Sequence, residues 1–76
     1  MKDLLEFIAK KLVQYPEDVQ VRVIENEDGQ VFELRVHPDD MGRIIGKDGR
    51  TAKAMRTVLS SAAAKTDVRV SLQIVE

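Results

Sequence analysis

The segment with the clearest chemical use lies near the middle of the chain, where residues 42–50 have the sequence GRIIGKDGR. Its glycines at 46 and 49 permit backbone conformations that other residues avoid, and they leave no side chain to block a close approach. The basic residues in or beside this turn are Arg43, Lys47, Arg50 and Lys53. Because Lys and Arg donate charged hydrogen bonds to phosphate oxygens, the pattern predicts a turn that holds the backbone of a nucleic acid.

Other nucleotide-binding motifs do not fit this spacing. A P-loop needs four residues between its glycines and a Ser or Thr after its lysine, whereas Gly42 and Gly46 have three between them and Asp48 follows Lys47. No GxGxxG motif is present. A simpler structural alternative remains open, in which Gly46 only caps the C-terminus of the preceding helix.

Residues typical of enzymes are sparse. Asp39 and Asp40 form a pair of carboxylates, but they follow a proline and precede a helix, so we interpret Asp39 as a helix cap. His37, the only histidine, is predicted to be a solvent-facing loop residue, with a pH-sensing or nucleic-acid-contacting role as the alternative. With no nucleophile–base pair, metal-ligand cluster or cofactor motif, the sequence predicts a protein that is not an enzyme and uses no cofactor or metal.

The charge of the chain is distributed unevenly. Its net charge is only −1, but residues 1–40 carry five Lys/Arg and ten Asp/Glu, whereas residues 41–76 carry seven and three. The two halves therefore have net charges of −5 and +4. Such asymmetry favours a nucleic-acid surface in the basic half, and unevenly charged solvated faces are the alternative.

The length of 76 residues predicts a single domain over residues 1–76. The absence of cysteine fits a reducing compartment. The first residues, MKDLLE, place acids where a signal peptide would be apolar, and no apolar run approaches the roughly 20 residues of a membrane span. We therefore predict a cytoplasmic protein without membrane contact.

Apolar periodicity and turn signals divide the chain into six elements. Apolar residues at helical spacing predict helices, alternating β-branched residues predict strands, and the Asp-Gly pair at 28–29 predicts a hairpin turn. The predicted elements are a helix over 3–14, strands over 19–23 and 31–36, a short helix over 40–45, a helix over 50–65 and a strand over 68–74, with a break at Thr66-Asp67.

The order α-β-β-α-α-β predicts the architecture around the glycine turn. The hairpin pairs its strands antiparallel, whereas the final β-α-α-β unit should be a right-handed crossover between parallel strands. Three helices over one face of a three-stranded mixed sheet give a two-layer α+β domain. In this domain the turn joins the two crossover helices, and the second helix directs the unpaired N–H groups of its first turn towards it.

The IIGKDG segment between two helices resembles the I-G-x-x-G signature of KH domains, and the element order is that of their bacterial, type II form. The likeness covers the whole chain, which is most similar to the small bacterial single-KH RNA-binding proteins of the KhpA (YlqC) family. The resemblance implies binding of single-stranded RNA and a role as an RNA chaperone or regulator. It also implies pairing, either as a homodimer or with a larger KH protein of the KhpB (Jag) type.

The same resemblance assigns the RNA-binding residues. The turn at 46–49 matches the loop that packs against the RNA backbone, and of Ile44 and Ile45 one should face the core and the other the base-binding groove. Ala52 departs from the larger aliphatic residue of many KH domains, which would make the groove shallower. The predicted RNA-binding residues are Gly42, Arg43, Ile44, Ile45, Gly46, Lys47, Asp48, Gly49, Arg50 and Lys53.

A module that chiefly mediates protein pairing, with RNA contact secondary, is the competing interpretation. Aliphatic residues on outer faces, such as Ile24, Val58 and Val75, could serve such an interface, although scattered exposed apolar residues are normal. None of the three aromatic residues lies in the glycine turn, so the sequence does not predict bases stacked on aromatic platforms.

Overall fold

A computed structural model describes residues 2–65 and 67–76. Its helices and strands follow the predicted order α-β-β-α-α-β. They are α1 (Lys2–Leu12), β1 (Gln20–Asn26), β2 (Gly29–Arg35), α2 (Met41–Ile45), α3 (Arg50–Ala63) and β3 (Arg69–Val75), with single 3-10 turns at Pro16–Asp18, Pro38–Asp40 and Lys47–Gly49. Thr66, which belongs to the predicted break before the last strand, lies outside the described residues.

The three strands form one mixed sheet in the order β1-β2-β3. β1 and β2 pair antiparallel from Gln20 opposite Arg35 to the hairpin turn, where Asn26 lies opposite Gly29. β2 and β3 pair in parallel, from Gly29 opposite Arg69 to Arg35 opposite Val75. This pairing confirms the predicted type II KH topology and makes β2 the central strand.

The core lies between the sheet and the three helices. Phe32 and Leu34 of β2 are 2% and 0% exposed, and they meet Leu5 of α1, Ile44 of α2 and Leu59 of α3 in one hydrophobic cluster. Alternate residues of β2 point to this cluster because side chains of a strand project to opposite faces. Each large apolar side chain buried in this way stabilises the fold by about 1.5–3 kcal/mol. The short helix α2 is thereby fixed to the core through a single residue of its aliphatic pair.

Candidate nucleic-acid interface

Three residues of the GKDG turn, Gly46, Asp48 and Gly49, have positive φ angles. Gly46 ends α2 with its N–H donating to the carbonyl oxygen of Gly42 at 2.8 Å. Its φ of 76° and ψ of 174° lie in a region that is open essentially only to glycine. Asp48 and Gly49 follow with φ of 58° and 76°, and the Gly49 N–H donates to the carbonyl oxygen of Gly46 at 3.1 Å. The sequence folds this way because two glycines stand where side chains are disfavoured.

Gly46 also lets α2 and α3 come close to each other. A Cβ atom at this position would overlap the side chain of Thr51 and lie 2.9 Å from its backbone nitrogen. A Cβ atom at Gly49 would meet no atom within 4 Å. Gly46 therefore has the helix-ending role that the sequence left open as an alternative. That role leaves the surface of the turn free, so it does not compete with a binding role.

The aliphatic pair before the turn divides between core and surface, as expected. Ile44 is 0% exposed within the hydrophobic cluster, and Ile45 is 40% exposed. The side chain of Ile45 is therefore the one that lies at the surface beside the GKDG turn. Ala52, which the sequence linked to a shallower groove, is 5% exposed, so its side chain faces inward.

Three cations of the predicted site are exposed and free of partners. Within the described residues, the side chains of Lys47, Arg50 and Lys53 form no ion pair or hydrogen bond. The only acid between Met41 and Lys65 is Asp48. An unpaired cation can bind an incoming phosphate directly, because no protein carboxylate must first be displaced from it. The predicted basic surface is thus electrostatically available.

The start of α3 adds further donors to the same surface. Gly49 precedes the helix and offers no side-chain cap to its first N–H groups. The N–H of Arg50 already donates to the carbonyl oxygen of Lys47. The N–H groups that follow it in the first turn of a helix have no partner within the helix and carry part of the positive end of its dipole. With 14 residues, α3 is long enough for that dipole to develop. The GKDG turn, Arg50 and the start of α3 therefore adjoin one another in the chain.

Arg43 differs from the other cations of the site because a buried carboxylate holds it. Its Nε lies 3.6 Å from Oδ1 of Asp40, three residues earlier. Asp40 is 0% exposed, whereas the Arg43 side chain is 58% exposed. Attachment at Nε leaves the outer guanidinium nitrogens at the surface, where they can donate to a ligand.

Asp40 ties the end of α1 to the start of α2. Its Oδ1 accepts from the backbone N–H of Gln14 at 2.9 Å, and its Oδ2 accepts from that of Tyr15 at 3.0 Å. A buried charge persists where hydrogen bonds replace its hydration. Both carboxylate oxygens of Asp40 thus serve structure, and no group of three or more potential metal ligands occurs among residues 2–65 and 67–76.

The prediction that Asp39 caps α2 is wrong. The residue at the N-cap of α2 is Asp40, which forms no side-chain capping bond, and His37 caps the preceding 3-10 turn at Pro38–Asp40. The ring Nδ1 of His37 accepts from the backbone N–H of Asp39 at 3.0 Å. The ring also stacks on Tyr15, with 4.3 Å between centroids and 27° between planes. His37 is half-buried as a result, whereas the sequence predicted a solvent-facing residue. The stack and the Asp40 hydrogen bonds hold the same two segments together.

Nine of the ten predicted site residues are exposed or half-buried, and Ile44 lies in the core. Sequence reasoning missed the part played by Asp40 and the Tyr15–His37 stack. Asp40 bonds to residues 25 and 26 positions earlier, a distance at which no local pattern gives a signal. No helix within the described ranges combines the length and apolar character that crossing a bilayer requires.

Known proteins resemble this chain over nearly its full length. Residues 2–74 match the family described as KhpA/KhpB, KH domain. The RNA-binding protein KhpA of Clostridium perfringens is 51% identical over 75 residues, covering 99% of this chain and 100% of that protein. The RNA-binding protein KhpA of Halalkalibacterium halodurans is 55% identical over 78 residues, with both chains fully covered.

A solved structure supports the fold at lower identity. Era in complex with MgGDPNP and nucleotides 1506-1542 of 16S ribosomal RNA superposes with a TM-score of 0.66 at 21% identity. The match covers 97% of this chain but only 29% of the Era chain. At this identity the likeness bears on the fold alone.

Proposed function

This chain belongs to the KhpA/KhpB family of KH domains, and we propose that it binds single-stranded RNA through the GKDG turn and the start of α3. Members of this family are non-catalytic binding domains, so the chain is not an enzyme, as the sequence predicted. One observation carries the proposal: unpaired Lys47, Arg50 and Lys53 surround an uncapped helix start beside the bare backbone of the turn.

The phosphate backbone is the part of RNA that this surface fits. A phosphate at the start of α3 would accept from the unpaired N–H groups, where the helix dipole favours negative charge. Lys47 would approach the same phosphate from inside the turn, and Arg50 and Lys53 lie three and six residues further along the chain. A GXXG loop of this kind clamps about four nucleotides.

Bases would meet an aliphatic surface rather than an aromatic one. Ile45 is exposed beside the turn, and the three aromatic residues of the chain lie elsewhere in the sequence, at 7, 15 and 32. Contacts of this type tolerate every base, because they use the flat face of the base and not its hydrogen-bonding edge. We therefore expect weak binding by a single domain, little sequence preference and a strong dependence on salt.

Reversal of charge at Lys47 tests the clamp. In Lys47→Asp a repulsive charge replaces an attractive one next to Asp48, and the repulsion at contact distance is on the order of a few kcal/mol. Since about 1.4 kcal/mol is tenfold in affinity, binding of a short unpaired RNA should disappear from a fluorescence-anisotropy titration. The exposed Lys47 supports no core contact, so circular dichroism and melting should match the wild type.

The matched control is Lys2→Asp, which changes the net charge by the same amount at an exposed position on α1. It should bind RNA nearly as well as the wild type. The milder Lys47→Gln, which removes one phosphate contact without adding a repulsive charge, should lower the slope of log affinity against log salt by about 0.7, the value for single strands. A folded Lys47→Asp variant that binds as tightly as the wild type would show that the turn is not the clamp.

We also propose that the protein works as a cytoplasmic RNA chaperone or regulator, either as a homodimer or with a KhpB-type partner. Two joined RNA-binding surfaces raise the overall affinity without any new type of contact. The family description joins KhpA and KhpB domains, which supports a pairing of this kind. Light scattering after size exclusion, over a range of protein concentrations, tests the homodimer.

A protein-pairing module with secondary RNA contact is the second candidate. It draws on exposed apolar side chains away from the turn, such as Ile24 and Val58, which are 40% and 39% exposed. If protein pairing is the main function, Lys47→Asp would abolish RNA binding but leave self-association unchanged, and the variant would have the same effect in cells as the wild-type protein. If RNA binding is primary, the same substitution should remove the cellular effect while the dimer persists.

A further inference from the structure

Among the described residues, Asp40 is the only charged side chain that is buried. It is 0% exposed and lies in the 3-10 turn that leads into α2. Both of its oxygens are fixed, since Oδ1 accepts from the backbone N–H of Gln14 and Oδ2 accepts from that of Tyr15. A carboxylate that is held at both oxygens is a rigid point of attachment for a cation that reaches it.

Arg43 is the cation that reaches this carboxylate. Its Nε lies 3.6 Å from Oδ1 of Asp40, three residues earlier, which is a spacing at which helical side chains meet. A guanidinium group carries its N–H donors in a planar fork. Contact through Nε leaves the two terminal nitrogens of the fork, which can donate in parallel to two oxygens of one phosphate. The Arg43 side chain is 58% exposed, so a phosphate can approach it from solvent.

We propose that Asp40 is a positioning residue for RNA binding, which never touches the RNA but holds the guanidinium group of Arg43 ready for a phosphate. The inference rests on the proposed RNA binding and adds to it a residue outside the predicted binding set. Within the described residues, Lys47, Arg50 and Lys53 have no carboxylate partner. RNA must immobilise each of these flexible side chains, which opposes binding. The Arg43 side chain is already restrained in the folded protein.

Replacement of arginine by lysine tests this idea, because it keeps the charge and removes the fork. Arg43→Lys should weaken binding of a short oligouridine RNA by about threefold to tenfold, the effect of one side chain that is no longer positioned. An ammonium group beside Asp40 cannot also present two parallel donors to a phosphate. Arg50→Lys alters a cation without a carboxylate partner and should weaken binding less. The control is Arg69→Lys, at an exposed position at the start of β3, which should leave RNA affinity unchanged.

Asp40→Asn tests the positioning itself, because it removes the charge that holds Arg43 but keeps nearly the same shape. The RNA affinity should fall about as far as in Arg43→Lys, and Arg43→Lys should cause no further loss in the Asp40→Asn background. If the role of Asp40 is only structural, the effect of Arg43→Lys will persist in that background. A second readout needs no RNA: in NMR spectra the Nε–H of Arg43 should exchange slowly with water in the wild type and rapidly in Asp40→Asn, because the carboxylate no longer shields it.

The outcomes separate this inference from the proposed function. If the wild type does not bind oligouridine, or Lys47→Asp binds it normally, the proposed function fails and the inference with it. If Lys47→Asp is inactive but Arg43→Lys binds like the wild type, only the inference fails. Tighter binding by Asp40→Asn would also overturn it, because the carboxylate would then compete with RNA for Arg43. Should Asp40→Asn not fold, the lysine variants still decide, since equal losses in Arg43→Lys and Arg50→Lys would refute a special position for Arg43.

Discussion

The two glycines of the GKDG turn should differ widely in their tolerance of substitution, although the sequence presents them as a symmetric pair. Gly46→Ala places a side chain at φ 76° and ψ 174°, where strain costs about 1–3 kcal/mol. The new Cβ would also overlap the side chain of Thr51 and press on its backbone nitrogen from 2.9 Å, and overpacking of this kind costs about 1–3 kcal/mol more.

Gly49→Asn faces neither obstacle. The φ of 76° and ψ of 12° at Gly49 are left-handed helical, a conformation that asparagine tolerates, and a Cβ atom there would meet no atom within 4 Å. We expect a loss of under about 1 kcal/mol for Gly49→Asn and about 2–6 kcal/mol for Gly46→Ala. At about 4–8 °C per kcal/mol for a domain of this size, the two melting temperatures should lie at least about 4 °C apart.

Urea unfolding followed by circular dichroism measures both losses, and Thr51→Ala identifies the source of the larger one. This substitution removes the hydroxyl group that a Cβ at Gly46 would overlap but keeps the backbone nitrogen in place. In a double-mutant cycle, Thr51→Ala should therefore restore part of the stability lost in Gly46→Ala, with a coupling of about 0.5–2 kcal/mol. Equal losses at the two glycines, or a cycle with no coupling, would refute the steric argument.

Two further predictions concern groups outside the turn. Asp40→Ala leaves two backbone N–H groups without their acceptor and should lower the free energy of unfolding in urea by about 2–4 kcal/mol. Its control, Asp39→Ala, removes an exposed side chain and should lower that free energy by under about 0.5 kcal/mol. Similar losses in the two variants would contradict the anchoring role of Asp40. The hydrogen bond and charge of Lys10 lower the pKa of Glu6, so the small stability this pair provides is present above the ordinary pKa of glutamate and disappears as the pH falls through the lowered value. Carboxyl NMR titration should show the Glu6 pKa returning to its ordinary range in Lys10→Gln, and an unchanged value would assign the shift to another cause.

Local patterns in the sequence were sufficient to predict the order of elements and the sheet. The Asp-Gly pair predicted the hairpin, and the alternation of β2 predicted its buried face, because both depend on residues next to each other. The end of α1 was not predictable in this way. The N–H groups of Gln14 and Tyr15 bond to Asp40 instead of continuing the helix, so α1 ends at Leu12 and not at residue 14.

The candidate site was predictable in its motif but not in its geometry. The GKDG turn and its cations are adjacent in sequence, so their types and spacing were visible. Which of Ile44 and Ile45 faces the core was not, because a helix of five residues is too short for apolar periodicity to define a face. The contrast between Gly46 and Gly49 depends on how closely each one approaches α3, and only the folded chain shows this.

The parallel pairing of β2 with β3 has a consequence for the order in which the molecule folds. The hairpin joins residues as close as Asn26 and Gly29, whereas Gly29 pairs across the sheet with Arg69, forty positions further on. Hairpins form in roughly 1–10 μs. Closing the longer loop between Gly29 and Arg69 costs more conformational entropy, and contacts between β2 and β3 compensate for this cost only after the loop has closed. The GKDG turn lies inside that longer loop. We therefore expect a refolding chain to acquire its hairpin early, and the surface around the GKDG turn to take shape only when the slower, long-range pairing is complete.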